Sequence, residues 1–193
     1  MNDLRANGMQ GLQIVSCLVV TIWLAHVVNH LTGMQLNRFG IFPRNPDALA
    51  GVLAWPFLHG GLGHLVMNTT PLLFLGFLVS LRGPRVFFIT TLIVTILGGL
   101  GVWAFGRPAF HIGASGLVFG YFGCLVAFAW YERSLVSFAI ASIVLFYYGG
   151  MILGVIPVNT FVSWEGHLFG LLAGILAARL TTPSTGSGTR ELT

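Results

Sequence analysis

Four residues of this chain are of the types that transfer acyl groups when they are brought together. Ser115 stands in HIGASGLVFG (111–120), His167 in SWEGHLFG (163–170), and His64 and Asn68 in HGGLGHLVMN (59–68). A serine hydroxyl becomes a nucleophile when an imidazole within ~2.6–3.2 Å takes its proton. The oxyanion then formed needs donors aimed at it, each typically worth ~10²–10³ in kcat. His64 and Asn68 are four apart and share a helix face, so their side chains and the backbone N–H of Ser115 could supply those donors. A serine near a helix N-terminus gains further, because unpaired N–H groups there favour negative charge. Each residue also has a plainer reading. A small serine beside Gly113 and Gly116 helps helices pack, His167 fits an interfacial histidine bonded to a carbonyl, and Asn68 fits a bond across helices. GASG by itself falls short of the full G-x-S-x-G pattern of soluble hydrolases. Glu165 is two residues from His167, so on a helix the two side chains point apart. It is expected in the outer water layer or against a loop. His59 and His111 are expected to support loops or the interface, and His26, Asn29 and His30 are expected as interface polar residues at the outer end of the first span.

For the four residues to meet, the surrounding elements must hold them at one depth. The 193 residues are 55% hydrophobic and 7% charged, with a mean hydropathy of +0.87. Soluble domains carry about a quarter charged residues, so the medium is a bilayer. All nine basic residues are arginine. None forms a basic run interleaved with aromatics, and no nucleic-acid partner is expected. Cys17 and Cys124 lie in apolar runs without metal-ligand spacing and are not expected to pair. Six stretches approach the ~20 residues a span needs: about 12–31, 62–81, 86–105, 113–131, 135–156 and 164–180. Residues 1–11 precede this 12–180 membrane domain, and the Gly/Ser/Thr-rich 181–193 reads as a flexible tail.

Arginine placement favours both termini inside: Arg5, Arg82, Arg85, Arg133, Arg179 and Arg190 on one side, against Arg38, Arg44 and Arg107. The even-numbered spans then run from outside to inside, and all three polar clusters open them on the outer side. His64 is 18 residues before Arg82, Ser115 is 18 before Arg133, and His167 is 12 before Arg179. At ~1.5 Å per residue these place them ~27, ~27 and ~18 Å above the inner edge. Two ribbons of small residues, Gly116–Gly120–Cys124 and Gly166–Gly170–Gly174–Ala178, allow the fourth and sixth spans to approach closely. Ser115 and His167 would then flank one tight contact. The fifth span, with Gly149, Gly150 and Gly154, is the candidate mobile gate.

Taken together, H-x4-H-x3-N at His59–Asn68, GASG at Gly113–Gly116 and H-x-x-G-x-x-x-G at His167–Gly174 resemble the motifs of the rhomboid intramembrane serine proteases, in that family's order. The resemblance implies an all-α, six-helix rhomboid-like bundle in a cytoplasmic (inner) membrane of a bacterium. It implies Ser115 as nucleophile, His167 as base of a dyad without a carboxylate, and His64 and Asn68 as helpers of the oxyanion. Gly113, Gly116, Phe119, Gly166 and Gly170 would support them. The implied substrates are transmembrane segments of other proteins, with water as co-reactant and no cofactor or metal; the oligomeric state stays open. Two departures stand out. ALAGVLAWPFLH (48–59) lacks the Trp-Arg pair of many members' first loop, which puts loop anchoring in question. Phe119 stands where many carry a tyrosine stacked on the catalytic histidine. Two other functions compete: an inactive rhomboid-like binder of transmembrane segments, and a transporter using His59, His64, His111 and His167 as metal ligands.

Overall fold

In a bilayer every backbone polar group must be satisfied within the chain, so spanning segments of this composition fold as helices. The computed structural model describes residues 2–158 and 162–182 and is helical almost throughout. The helices are α1 (Asn2–Leu31), α2 (Gly51–Ala54), α3 (Leu62–Ser80), α4 (Pro84–Ile93), α5 (Gly99–Phe105), α6 (Ser115–Glu132), α7 (Leu135–Tyr148) and α8 (Trp164–Thr181). A π-helical turn at Val94–Gly98 joins α4 to α5, and a 3-10 segment, Gly149–Val155, extends α7. The tail expected at 181–193 lies, from 183 on, outside the described residues.

Four helical stretches are long and apolar enough to cross a membrane: Gly8–Leu31, Leu62–Ser80, Pro84–Phe105 and Leu135–Val155. The fourth and sixth expected spans, α6 and α8, are each 18 residues long, or ~27 Å. They fall short on apolarity because they carry the polar residues and most of the glycine at the centre. A helix enclosed by other helices need not match the lipid. α6 is buried along nearly its whole length, whereas only 11% of the α7 span is buried.

The two small-residue ribbons meet in parallel. A Cβ built on Gly170 would lie 3.0 Å from the carbonyl carbon of Gly116, and one on Gly174 would lie 2.6 Å from that of Gly120. Cys124 and Ala178 continue the same seam in one apolar cluster. Gly166 departs from the expected ribbon: it faces Ser163 and the ring of Trp55 instead of α6.

Sequence punctuation sets the ends. Gly83, at φ 104°, and Pro84 start α4, Arg133 closes α6 in a left-handed conformation, and Ser134 caps α7 through its side chain. At that end Arg82 pairs with Glu132, which also accepts from Ser137, and the Arg82 guanidinium lies 3.9 Å from the centre of the Phe128 ring. Arg44 and Arg107 bind at the opposite end. Among the described residues Arg82 thus binds at one end of the bundle and Arg44 and Arg107 at the other.

Candidate active site

The long connection 32–58 is folded back onto the bundle. Ile41 and His111 exchange backbone hydrogen bonds of 3.1 and 2.8 Å. Arg44 donates to the carbonyl of Gly106 at 2.8 Å, and Trp103 donates to that of Asn45 at 2.9 Å. Trp55 goes deepest: it is 1% exposed, donates to the Thr95 carbonyl at 3.2 Å and fills the space that Gly116, Gly166 and Gly99 leave by having no Cβ. The expected weakness of loop anchoring does not materialise. Trp55 and Arg44, both within the loop, hold it to the bundle.

That anchoring shapes the serine turn. The Trp55 carbonyl accepts from Gly113 N at 2.8 Å, and His59 Nε2 accepts from Ala114 N at 3.2 Å. An amide can only donate, so neutral His59 carries its proton on Nδ1. His59 is fully buried, and burial, reinforced by the neighbouring His64, lowers its pKa from 6.5 to about 4. It therefore stays neutral and keeps that acceptor available. Gly113 has φ 120°, which a side chain rarely adopts, and a Cβ there would sit 2.6 Å from Cε1 of His64. The first glycine of GASG thus lets the chain turn and admits the imidazole. The first α6 hydrogen bond at this turn runs from Val118 N to Ala114 O, which leaves the N–H groups of Ser115 and its successors unpaired within the helix.

The start of α8 is tied to the same turn. Ser163 caps it, accepting from Gly166 N at 3.2 Å. His111 Nε2 is 3.1 Å from the Arg107 carbonyl, so that nitrogen carries the proton and Nδ1 accepts the Ser163 hydroxyl at 2.6 Å. Burial lowers the pKa of His111 and keeps it in this neutral form. Glu165 is 1% exposed, so of its two expected places it takes the one against a loop and not the outer water layer. Its Oε1 accepts from Arg107 N at 3.1 Å, and its Oε2 lies 3.7 Å from Arg107 Nη1. It binds the 106–114 connection to α8.

One helical turn inward, His167 is 8% exposed. Its Nδ1 is 2.8 Å from the Gly154 carbonyl, and its ring is stacked on Phe119 at 4.1 Å and 7°. Gly154 belongs to the 3-10 extension of α7, so the expected gate segment carries the partner of the histidine. A carbonyl accepts, so Nδ1 holds the proton and Nε2 presents a lone pair. Among the described residues no hydrogen bond joins that nitrogen to Ser115 Oγ. Apo catalytic pairs are often long and tighten when substrate binds. Asn68 is buried, with Nδ2 donating to the His64 carbonyl at 2.9 Å and its second amide hydrogen uncommitted.

The histidines expected at the interface are partly inside. His26 and Asn29 are buried. Asn29 bonds Asn37 at 2.8 Å, and Asn37 reaches the His59 carbonyl at 3.4 Å. The His26, His59 and His64 rings follow one another at 6.5 and 5.0 Å, so α1 backs the site. No signal in the sequence marked Gly154 or α1 for these roles. Trp55 was visible only as an aromatic in a loop. Among the described residues no three His, Cys, Asp or Glu side chains converge as a metal site.

The Rhomboid domain family matches residues 46–184. This chain belongs to the rhomboid family. A similar protein of Mycobacterium tuberculosis H37Rv, described as uncharacterized, is 42% identical over 91% of this chain and 77% of its own length. The RHOMBOID-like protein 4 of Arabidopsis thaliana is 33% identical over 65% of this chain and 33% of its own length. A putative rhomboid protease of Bacillus subtilis is 27% identical over 64% of this chain and 62% of its own. The rhomboid match spans the loop that carries Trp55, the GASG turn and the start of α8. These are the three pieces that the hydrogen bonds above tie together.

Proposed function

We propose that this rhomboid is an intramembrane serine endopeptidase that hydrolyses peptide bonds in or next to transmembrane segments of other proteins. One observation carries this reading: the 2.8 Å hydrogen bond between His167 Nδ1 and the Gly154 carbonyl. It fixes the tautomer and, with the Phe119 stack, the ring, so the Nε2 lone pair is available for a hydroxyl proton without a carboxylate. Ser115 Oγ attacks the scissile carbonyl while His167 Nε2 takes its proton. The oxyanion is received by the Ser115 N–H, the spare Asn68 amide hydrogen and the His64 ring. Collapse breaks the C–N bond and passes the proton from His167 to the leaving amine. Water, deprotonated by His167, then releases the acid and restores Ser115. No cofactor enters.

In this proposal α6 and α8 are the fourth and sixth of six spans in a bacterial inner membrane, with both termini inside and Ser115 in the outer half. The missing Oγ–Nε2 hydrogen bond is the one observation that also suits an inactive binder of transmembrane segments. Labelling with a fluorophosphonate probe in detergent separates the two. Wild type is expected to label, with Ser115→Ala and His167→Ala blank. A folded wild type that resists both this probe and an isocoumarin inhibitor overturns the protease and leaves the binder.

A further inference from the structure

Between α6, α7 and α8 lies a half-open cavity of about 460 Å³. Its walls are Phe122, Val126 and Trp130 on α6, Leu171 and Ile175 on α8, and Leu145 on α7. Almost no polar surface lines it, and it lies along membrane-spanning helices, where the surrounding medium is hydrocarbon. Its lip residues Trp130, Leu145 and Ile152 are 71%, 49% and 45% exposed, so it opens sideways to the lipid. A void of this kind forfeits the contacts of its lining unless something apolar fills it.

The size decides between occupants. From Phe122 to Tyr131 the cavity runs along α6 for ~14 Å. A helix ~10–12 Å wide and that long would need about 1,100–1,600 Å³, more than the roughly 900 Å³ of empty space between the helices. A single hydrocarbon chain fits where a transmembrane helix does not. The end away from Ser115 supplies a charge. Leu171, Ile175 and Arg179 form one i, i+4 row along α8; the first two line the cavity, and Arg179 extends the row past its rim. The Arg179 guanidinium lies 5.7 Å from the ring centre of Tyr131, which is itself a lining residue. An apolar slot that ends at an aromatic and an exposed arginine at the helix terminus matches an acyl chain with a phosphate above it.

We infer that this cavity is a binding site for an anionic phospholipid, with one acyl chain between α7 and α8 and the headgroup phosphate on Arg179. The site stands whether or not Ser115 is a nucleophile. Seated there, the lipid supplies packing that α7, the least buried span, does not receive from the protein.

The test uses the full chain in phosphatidylcholine vesicles carrying a trace of phosphatidylglycerol with a diazirine in its acyl chain. A phosphatidylcholine probe with the same acyl chain serves as the comparison. After illumination, labelled peptides are mapped. Peptides holding 122–131 and 171–175 should label about fivefold more with phosphatidylglycerol, the scale of one arginine against an anionic lipid. Arg179→Gln should bring the two probes to parity. Gly149→Phe should empty these peptides of label; Gly149 lines the cavity, and nothing stands within 4 Å of its Cβ position, so the ring enters open space without strain. Equal labelling by both probes in wild type, or labelling that Gly149→Phe leaves unchanged, overturns the site. So does crosslinking of this face to a second copy of the chain in place of lipid.

Discussion

Replacing Gly170 by alanine tests the central contact of the molecule. The new Cβ would lie 3.0 and 3.1 Å from the carbonyl carbon and Cα of Gly116, with the carbonyl oxygen nearer still. Carbon contacts settle at ~3.5–4.0 Å, and a backbone cannot swing aside as a side chain can. The helices must therefore part by about 0.5–1 Å to restore that spacing. Overpacking costs ~1–3 kcal/mol and alanine returns ~1 kcal/mol of helix propensity, for a net loss of about 0–2 kcal/mol and a deficit of ~1–3 kcal/mol against a Gly→Ala change that meets no contact. Gly63→Ala is the control, because nothing lies within 4 Å of its Cβ position; it should lose nothing. The assay is reversible unfolding in mixed micelles, with the fluorophosphonate labelling rate as a second readout. Ser115 and His167 sit on the two helices being separated, and misplacement by ~1 Å can cost ~10²-fold. Labelling should fall ~10–100-fold, more than the stability loss accounts for. If Gly170→Ala is as stable as Gly63→Ala, the backbones are not in contact and the description of the α6–α8 seam is wrong.

Acid should weaken the fold through His59, and Phe119 should matter through its stack. His59 has its pKa lowered to about 4, so the unfolded chain binds the proton first. The stabilisation is complete above pH ~6.5 and is lost as pH falls toward 4, up to about 3 kcal/mol; His111, also lowered, acts in the same direction. Unfolding midpoints between pH 7.5 and 4.5 check this, and a flat profile refutes it. For Phe119, stacked on His167 at 4.1 Å, aromatic stacking is worth ~0.5–1.5 kcal/mol, so Phe119→Leu should slow labelling by about 2–10-fold. Phe119→Tyr should keep the rate; equal rates in all three proteins would show that the stack does not orient the base.

The sequence by itself determined the medium and the helical class. These follow from hydropathy and the length of the apolar runs, both properties of one segment at a time. It also determined that two glycine ribbons could meet, since spacing by four puts small residues on one face wherever the helix goes. What it left open was decided by contacts between segments distant in the chain. That Gly166 turns to Trp55 instead of α6, that Glu165 is buried on the 106–114 connection, and that Gly154 supplies a carbonyl to His167 depend on how a loop and a 3-10 turn lie in space. A backbone carbonyl is present at every residue, so no residue type could mark Gly154 beforehand. His59 and His111 read as loop support, and both proved to be buried neutral imidazoles holding specific backbone groups. Their tautomers follow from the partner on each ring nitrogen. A tautomer is set by neighbours, and only the tertiary structure supplies them.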